Sequence, residues 1–330
     1  MRTPMVVTDP TEDLPDRVTI YEVGPRDGLP TRVTIYEVGA RDGLQNEQGL
    51  VDVRDKAEFV TRLLDAGAPI VEATSFVHPK WVPQLADAAE LMGILTERLG
   101  DAARRLPVLV PNDRGLDRAL DLGLEHVAIF GSATETFAQR NLNRSYDEQF
   151  AMFEPVVERA RANDLTVRAY VSMCFGDPWE GRVPIEQVVA TGKRLLDLGA
   201  DQLSLGDTIG VATPGHVAVL LRAFADAGIG ADQLALHFHD TYGQALVNTY
   251  AGLQAGVTTY DASAGGLGGC PYAKSATGNL ATEDLVWMLT GLGIEHGLDL
   301  DRLVGTSVWM AGRLGRPSPS AVVRALGTPS

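Results

Sequence analysis

Two histidines one residue apart, His237 and His239, stand in the apolar run LALHFHD. Side chains two apart in a strand share a face, so both imidazoles point the same way. Beside an inward carboxylate, such a pair makes a divalent-cation site with open positions. Nitrogen and oxygen ligands without thiolate suit Mg²⁺ or Mn²⁺, and would also fit zinc or iron. The same pair would serve equally as core histidines bonded to backbone carbonyls. The carboxylate has two sources, because RVTIYEVG-x-RDGL occurs twice, at 17–29 and 32–44, differing only at Pro25 versus Ala40. Each copy reads as a strand ending in a cation and a carboxylate, Arg26-Asp27 or Arg41-Asp42. Alone, that dyad is also what a turn with a surface ion pair would show, worth ~0–1 kcal/mol.

The elements that must position these residues decide between the copies. From Arg32 onward, strand patterns at 33–38, 69–73, 107–110, 126–130, 166–172, 202–205, 234–238 and 258–261 alternate with helical ones. The latter include 53–66, 82–99, 147–163, 185–198 and 214–227. Several helices stop at DAGA, DLGL, DLGA or DAGIG, where glycine supplies a left-handed cap before the next strand. Eight β-then-α units predict a (β/α)8 TIM barrel, with active residues at the C-terminal strand ends. A doubly wound open sheet is the alternative, but no GxGxxG follows the first strand. The second copy continues through Gln45, Asn46 and Glu47 into the first helix. The first copy meets Pro30 and Thr31, with no room for a helix before the next strand. Arg41 and Asp42 are therefore assigned to the barrel. Residues 1–31 read as a poorly ordered leader holding a redundant copy, 32–297 as the catalytic barrel, and 298–330 as a short C-terminal helical extension and tail.

Other polar residues gather at the same strand ends: Glu72 and Ser75; Arg168 and Tyr170; Ser204, Asp207 and Thr208. A glycine-rich loop, AGGLGGCPYAKSATGN, brings Cys270 and Asn279 after the last strand. It reads either as a mobile linker or as a lid that excludes water. Cys270 is correspondingly an inert thiol or a reactive one. Glu72, if inward, needs a cation such as Arg41 nearby. His78, His126, His216 and His296 have no partner pattern and read as structural or surface residues.

Bulk composition narrows the partners. With 28 Lys plus Arg against 43 Asp plus Glu, the 330-residue chain carries a net charge of −15. Nucleic acid and anionic membranes are unsuitable partners, because both need dense basic patches. Two cysteines, Cys174 and Cys270, make neither a disulfide framework nor a CxxC zinc site, which points to a reducing compartment. No apolar run approaches the ~20 residues that span a bilayer, and the N-terminal stretch lacks a signal-peptide pattern, so a cytoplasmic protein is expected.

The stretches EVGARDGLQNE, VEATSFVHPKWVPQ, SLGDTIGVATPG, HFHDTYGQALVNT and AGGLGGCPYAKSATGNLATEDLV together resemble the DRE-TIM metallolyase superfamily. Within it, GLGGCPYA most resembles the 3-hydroxy-3-methylglutaryl-CoA (HMG-CoA) lyases. The resemblance covers roughly residues 32–292. It implies Mg²⁺ or Mn²⁺ held by Asp42, His237, His239 and Asn279, and cleavage of HMG-CoA to acetyl-CoA and acetoacetate. It further implies Arg41 stabilising an enolate oxyanion, Cys270 protonating the carbanion, and Asp207 or His237 as base, with Glu72 orienting Arg41. Gln45, Ser75, Asn141, Tyr170, Ser204 and Thr208 are expected to line the acyl-CoA site with Arg41, and Arg140 is a weaker contact. A homodimer in leucine degradation and ketone-body formation is the family's setting. The chain departs from the pattern at Ala40, where proline is usual, and at Lys274, where a neutral residue is usual. The alternatives are a Claisen-type synthase, which usually carries a longer C-terminal region, a hydroxy-oxo acid aldolase, and a catalytically silent acyl-CoA-binding barrel.

Overall fold

The strand patterns form one parallel sheet in a computed structural model that describes residues 28–47, 49–269 and 278–327. Its strands are β1 (Thr34–Glu37), β2 (Ile70–Val71), β3 (Thr74–Ser75), β4 (Val108–Leu109), β5 (His126–Ser132), β6 (Thr166–Ser172), β7 (Gln202–Asp207), β8 (Leu234–Phe238) and β9 (Thr259–Ala262). They run in the order β2-β1-β9-β8-β7-β6-β5-β4-β3. The two ends of that order are consecutive in the chain. Glu72 N donates to Glu37 O on one side, and Ala73 N donates to Pro107 O on the other. One barrel strand is thus divided between its neighbours, β2 pairing with β1 and β3 with β4, and this closes the ring. The sequence pattern predicted a single strand there, at 69–73. The division occurs because each half satisfies a different edge.

Helices follow the strands: α1 (Val53–Asp65), α2 (Ala88–Leu99), α3 (Asp113–Asp121), α4 (Glu135–Leu142), α5 (Tyr146–Ala162), α6 (Ile185–Leu198), α7 (Pro214–Asp226), α8 (Ala245–Gln254) and α9 (Thr282–Gly291). Local chemistry sets their ends. Asp52 accepts from Arg54 N to start α1, and Ser145 with Glu148 forms a capping box on α5. Gly199, at φ +112°, ends α6 and lets Ala200 N reach back to Leu195 O. The main core lies between sheet and helices, as one continuous apolar cluster.

The barrel interior holds buried polar groups beside a small apolar cluster of Leu109, Ala128, Phe130 and Tyr170. Arg168 on β6 reaches Asp261 on β9 and stacks on Tyr36 of β1, although β6 neighbours neither strand. Such contacts must cross the inside of the ring. Past the barrel, α10 (Leu300–Leu314) packs on α1, where Asp299 N donates to Ala66 O. The tail beyond α10 contains a further short helix, α11 (Ala321–Leu326). Asp284 holds its start by accepting from Ser320 Oγ, Ala321 N and Val322 N. No helix among the described residues is long and apolar enough to cross a membrane.

Candidate active site

The chain leaves β1 through a wide helical turn, 39–43, closed by Gly43 N donating to Val38 O at 3.0 Å. Glu37 anchors this turn from below. One of its oxygens accepts from Gly39 N (2.8 Å) and Ala264 N (2.9 Å), and the other from Thr282 Oγ1 (2.5 Å). The turn presents Arg41 and Asp42 at the barrel mouth. Arg41 Nε donates to Glu72 Oε2 at 2.6 Å, and Nη1 to Asp42 Oδ1 at 2.8 Å. The guanidinium also lies 5.1 Å from the Tyr170 ring centre, and the Tyr170 hydroxyl donates to the same Glu72 oxygen (3.0 Å). Burial opposes the charge on Arg41, but Glu72 and Asp42 outweigh it and hold the pKa well above the usual arginine value. Burial likewise raises Glu72, partly offset by Arg41.

Asp42, His237 and His239 converge, with one ligand atom of each within 4.8 Å of the others. The imidazoles come from β8 and the strand end just after it, with ring centres 5.3 Å apart. Burial would raise Asp42, but Arg41, His237 and His239 and the hydrogen bond from Asn279 bring its pKa down to about 2. Asn279 Nδ2 donates to Asp42 Oδ2 (2.8 Å) and Leu267 O (3.1 Å). Its Oδ1 is buried with no hydrogen-bond partner among the described residues. An ionised carboxylate, two imidazoles and an unpartnered amide oxygen fit a divalent cation.

Behind His237 lies a group the sequence reading did not single out. Asp261 Oδ2 sits 3.1 Å from His237 Nδ1 and accepts from Ser204 Oγ at 2.8 Å, while Oδ1 accepts from Arg168 Nη2 at 2.5 Å. Burial lowers the His237 pKa, but its bond and charge interaction with Asp261 outweigh that and raise it. A carboxylate within the predicted strand 258–261 was the available signal. Its meaning needed the sheet order, which sets His237 opposite Asp261.

A cavity of ≈ 810 Å³ opens beside this cluster. Arg41, Asp42, Gln45, Ser75, Asn141, Tyr170, Ser204, Thr208, His237 and His239 all line it. Gln45 Nε2 also donates to Asp42 Oδ1 at 2.9 Å. Ser204 spends its hydroxyl proton on Asp261, so toward the cavity it can only accept. His78, read from sequence as structural or surface, lines the same wall, as does Arg140, which stacks on Trp179 at 4.5 Å. Three expected residues stand apart from the lining: Glu72, Asp207, and Asn279, which sits behind Asp42. Glu72 is fully buried behind Arg41, as an orienting group would be. Asp207, expected as a candidate base, accepts from Val211 N (2.9 Å) and Ala212 N (3.1 Å), one bond on each oxygen, which orders the loop after β7; it is not among the residues that line the cavity. Burial pushes its pKa up to about 6, against the pull of those amides. Cys270 and Lys274 lie outside the described residues, as do Arg26 and Asp27 of the first copy. The second copy is the one that forms β1 and the turn.

Residues 32–309 match the family model described as HMGL-like. Among curated relatives, mitochondrial hydroxymethylglutaryl-CoA lyase of Rattus norvegicus is 48% identical over 312 residues, which are 94% of this chain and 90% of the relative. The mitochondrial enzyme of Arabidopsis thaliana is 48% identical over 282 residues, 86% of this chain but 59% of the relative's length. A solved hydroxymethylglutaryl-CoA lyase from Pseudomonas aeruginosa superposes with TM-score 0.86 at 44% identity, covering 91% of this chain and 98% of that one. An HMG-CoA lyase from Acinetobacter baumannii, solved with coenzyme A and 3-methylmalate, gives TM-score 0.84 at 34% identity over 90% and 95% of the two chains. A closed barrel whose mouth gathers an Arg-Asp turn and a histidine pair accords with those matches, and the chain belongs to the HMGL-like family.

Proposed function

We propose that this chain is a carbon–carbon lyase that cleaves 3-hydroxy-3-methylglutaryl-CoA into acetyl-CoA and acetoacetate. The observation that carries the reading is the convergence of Arg41, Asp42, His237 and His239 on one cavity, in a chain 48% identical to a hydroxymethylglutaryl-CoA lyase over 94% of its length. Asp42, His237, His239 and Asn279 are the residues that would hold Mg²⁺ or Mn²⁺. A divalent cation bound there supplies Lewis acidity that makes a hydroxyl easier to deprotonate.

Cleavage passes the proton of the C3 hydroxyl to a base, the role that the resemblance gives to Asp207 or His237, and breaks the C2–C3 bond. The bonding electrons pass to the acetyl-CoA enolate, C3 becomes the ketone of acetoacetate, and C2 takes up a proton. Arg41 is prepared for the enolate oxygen. Glu72 and Asp42 occupy Nε and Nη1 and fix the fork, leaving Nη2 for the substrate. A fixed donor aimed at developing charge needs no rearrangement as the bond breaks. Tyr170 covers one face of the guanidinium and shares Glu72 with it. We assign the proton returned to C2 to Cys270, on the sequence resemblance. Asp207 accepts one backbone amide on each oxygen and so also orders the β7 loop, whose Thr208 lines the cavity. The homodimer and the leucine-degrading setting belong to this proposal on the resemblance, and the cytoplasmic setting on the cysteine usage.

Release of acetoacetate from HMG-CoA, with Mg²⁺ or Mn²⁺ and again with EDTA, tests the reading. Cation-dependent release is expected. No release with either cation present would overturn it.

A further inference from the structure

We propose that Asp261 is a positioning residue for the cation site: it holds the proton of His237 on Nδ1 and so leaves the Nε2 lone pair for a cation shared with Asp42 and His239. The inference rests on the cation reading above and is independent of which thiolester the enzyme cleaves.

The argument is one of donors and acceptors. Asp261 is fully buried, and three groups surround its carboxylate: Arg168 Nη2 on Oδ1 at 2.5 Å, and Ser204 Oγ at 2.8 Å with His237 Nδ1 at 3.1 Å on Oδ2. Arg168 is itself buried, stacked 3.8 Å from the Tyr36 ring centre, and Asp261 is the carboxylate it pairs with. A buried carboxylate beside a permanently charged guanidinium is ionised and can only accept. The hydrogen between Asp261 and His237 therefore belongs to Nδ1. Once the ring is neutral, as ligation requires, Nε2 carries the lone pair. Two strands make this unavoidable: β8 and β9 are neighbours, and their register places His237 directly against Asp261. Carboxylates behind metal-binding histidines set the tautomer in this way, and losing them weakens metal binding by about 10- to 100-fold.

The competing account makes Asp261 only a counter-ion for Arg168. Mn²⁺ affinity, measured calorimetrically without substrate, separates the two. Asp261→Asn offers Nδ1 an amide N–H and should push the ring proton to Nε2, lowering Mn²⁺ affinity about 10- to 100-fold. Because that variant strands a buried cation, Arg168→Met/Asp261→Leu removes both charges together and leaves no acceptor at position 261 for Nδ1. It should melt close to the parent and still bind Mn²⁺ weakly. Nitrogen NMR of the Mg²⁺-loaded parent should find the His237 proton on Nδ1. A proton on Nε2, or a folded double variant binding Mn²⁺ within about twofold of the parent, would overturn the proposal. A parent chain that binds no Mn²⁺ removes the cation reading and this proposal with it. A parent that binds Mn²⁺ without cleaving HMG-CoA removes only the substrate assignment.

Discussion

Asp42 does two jobs that compete for its oxygens. It faces the two imidazoles as a cation ligand would, and it also receives Arg41 Nη1, Gln45 Nε2 and Asn279 Nδ2. Three donors and two nearby imidazoles explain a carboxyl held ionised despite burial. Replacing it by alanine removes a ligand and leaves Arg41 with one carboxylate partner. Asp42→Ala should therefore lower turnover by more than about 100-fold and abolish tight Mn²⁺ binding. Its sequence twin Asp27 is the control. Asp27→Ala should leave kcat and Mn²⁺ affinity within about twofold, because the second copy supplies the barrel strand. The reverse result would move the site to the first copy. At this scale the sequence was informative where chemistry and spacing coincide. Arg41, Asp42 and the histidine pair could be read from a strand end and a two-residue period. Asp261 could not, because its importance comes from the neighbouring strand and not from its own. Asp207 was placed at the right strand end, but which atoms a carboxylate meets is decided by the following turn, and here Val211 N and Ala212 N claim it.

At the scale of elements, the turn 39–43 is the part with least room. A Cβ on Gly43 would lie 2.7 Å from Ser263 Oγ and 2.9 Å from Leu267 Cβ, two groups at the base of the glycine-rich loop. Gly43 therefore permits the Arg-Asp turn to seat against that loop. Gly43→Ala meets both at once, and since Leu267 is packed in the core the turn should yield. The expected outcome is kcat lowered by about 10-fold or more with a stability loss of about 1–3 kcal/mol, read by steady-state kinetics and denaturant melts. Unchanged kcat in a folded variant would show that the turn and loop need not touch. Elements were legible where periodicity had length to show itself, as in α5, α6 and α7. In α8, residues such as Ala245, Asn248, Thr249, Ala251 and Gly252 are all buried, so no polar face marks a period. The six residues of α11 are too few for a pattern, and Asp284, far off in sequence, organises its start.

For the whole molecule, the pH response should follow from carboxyls that tie the barrel end together. Glu37 joins β1 to the loop base and to α9, while Glu283 on α9 accepts from Gly265 N and Ser307 Oγ of α10. Burial raises Glu37 to about 7, against three hydrogen bonds. Burial raises Glu283 to about 8, against the Ser307 bond, with Glu37 adding to the rise. Both folded values exceed the unfolded glutamate value of about 4.3, so the native state binds more protons between them. Their stabilising contribution is then complete below that value and is lost as pH climbs through about 7 and about 8. Asp207, raised to about 6, and His237, raised above its ordinary value, act in the same direction. Asp42, lowered to about 2, acts oppositely but only in strong acid. Without added metal, the melting temperature should therefore fall from about pH 5 to about pH 9. Glu283→Gln isolates the last step, because a glutamine can accept from Gly265 N and donate to Ser307 Oγ as a protonated glutamate would. It should melt near the parent at about pH 6 and at least about 2 °C above it at about pH 9. A parent curve that is flat over this range, or a variant that keeps the parent's full slope, would show that Glu283 is already ionised in the folded protein.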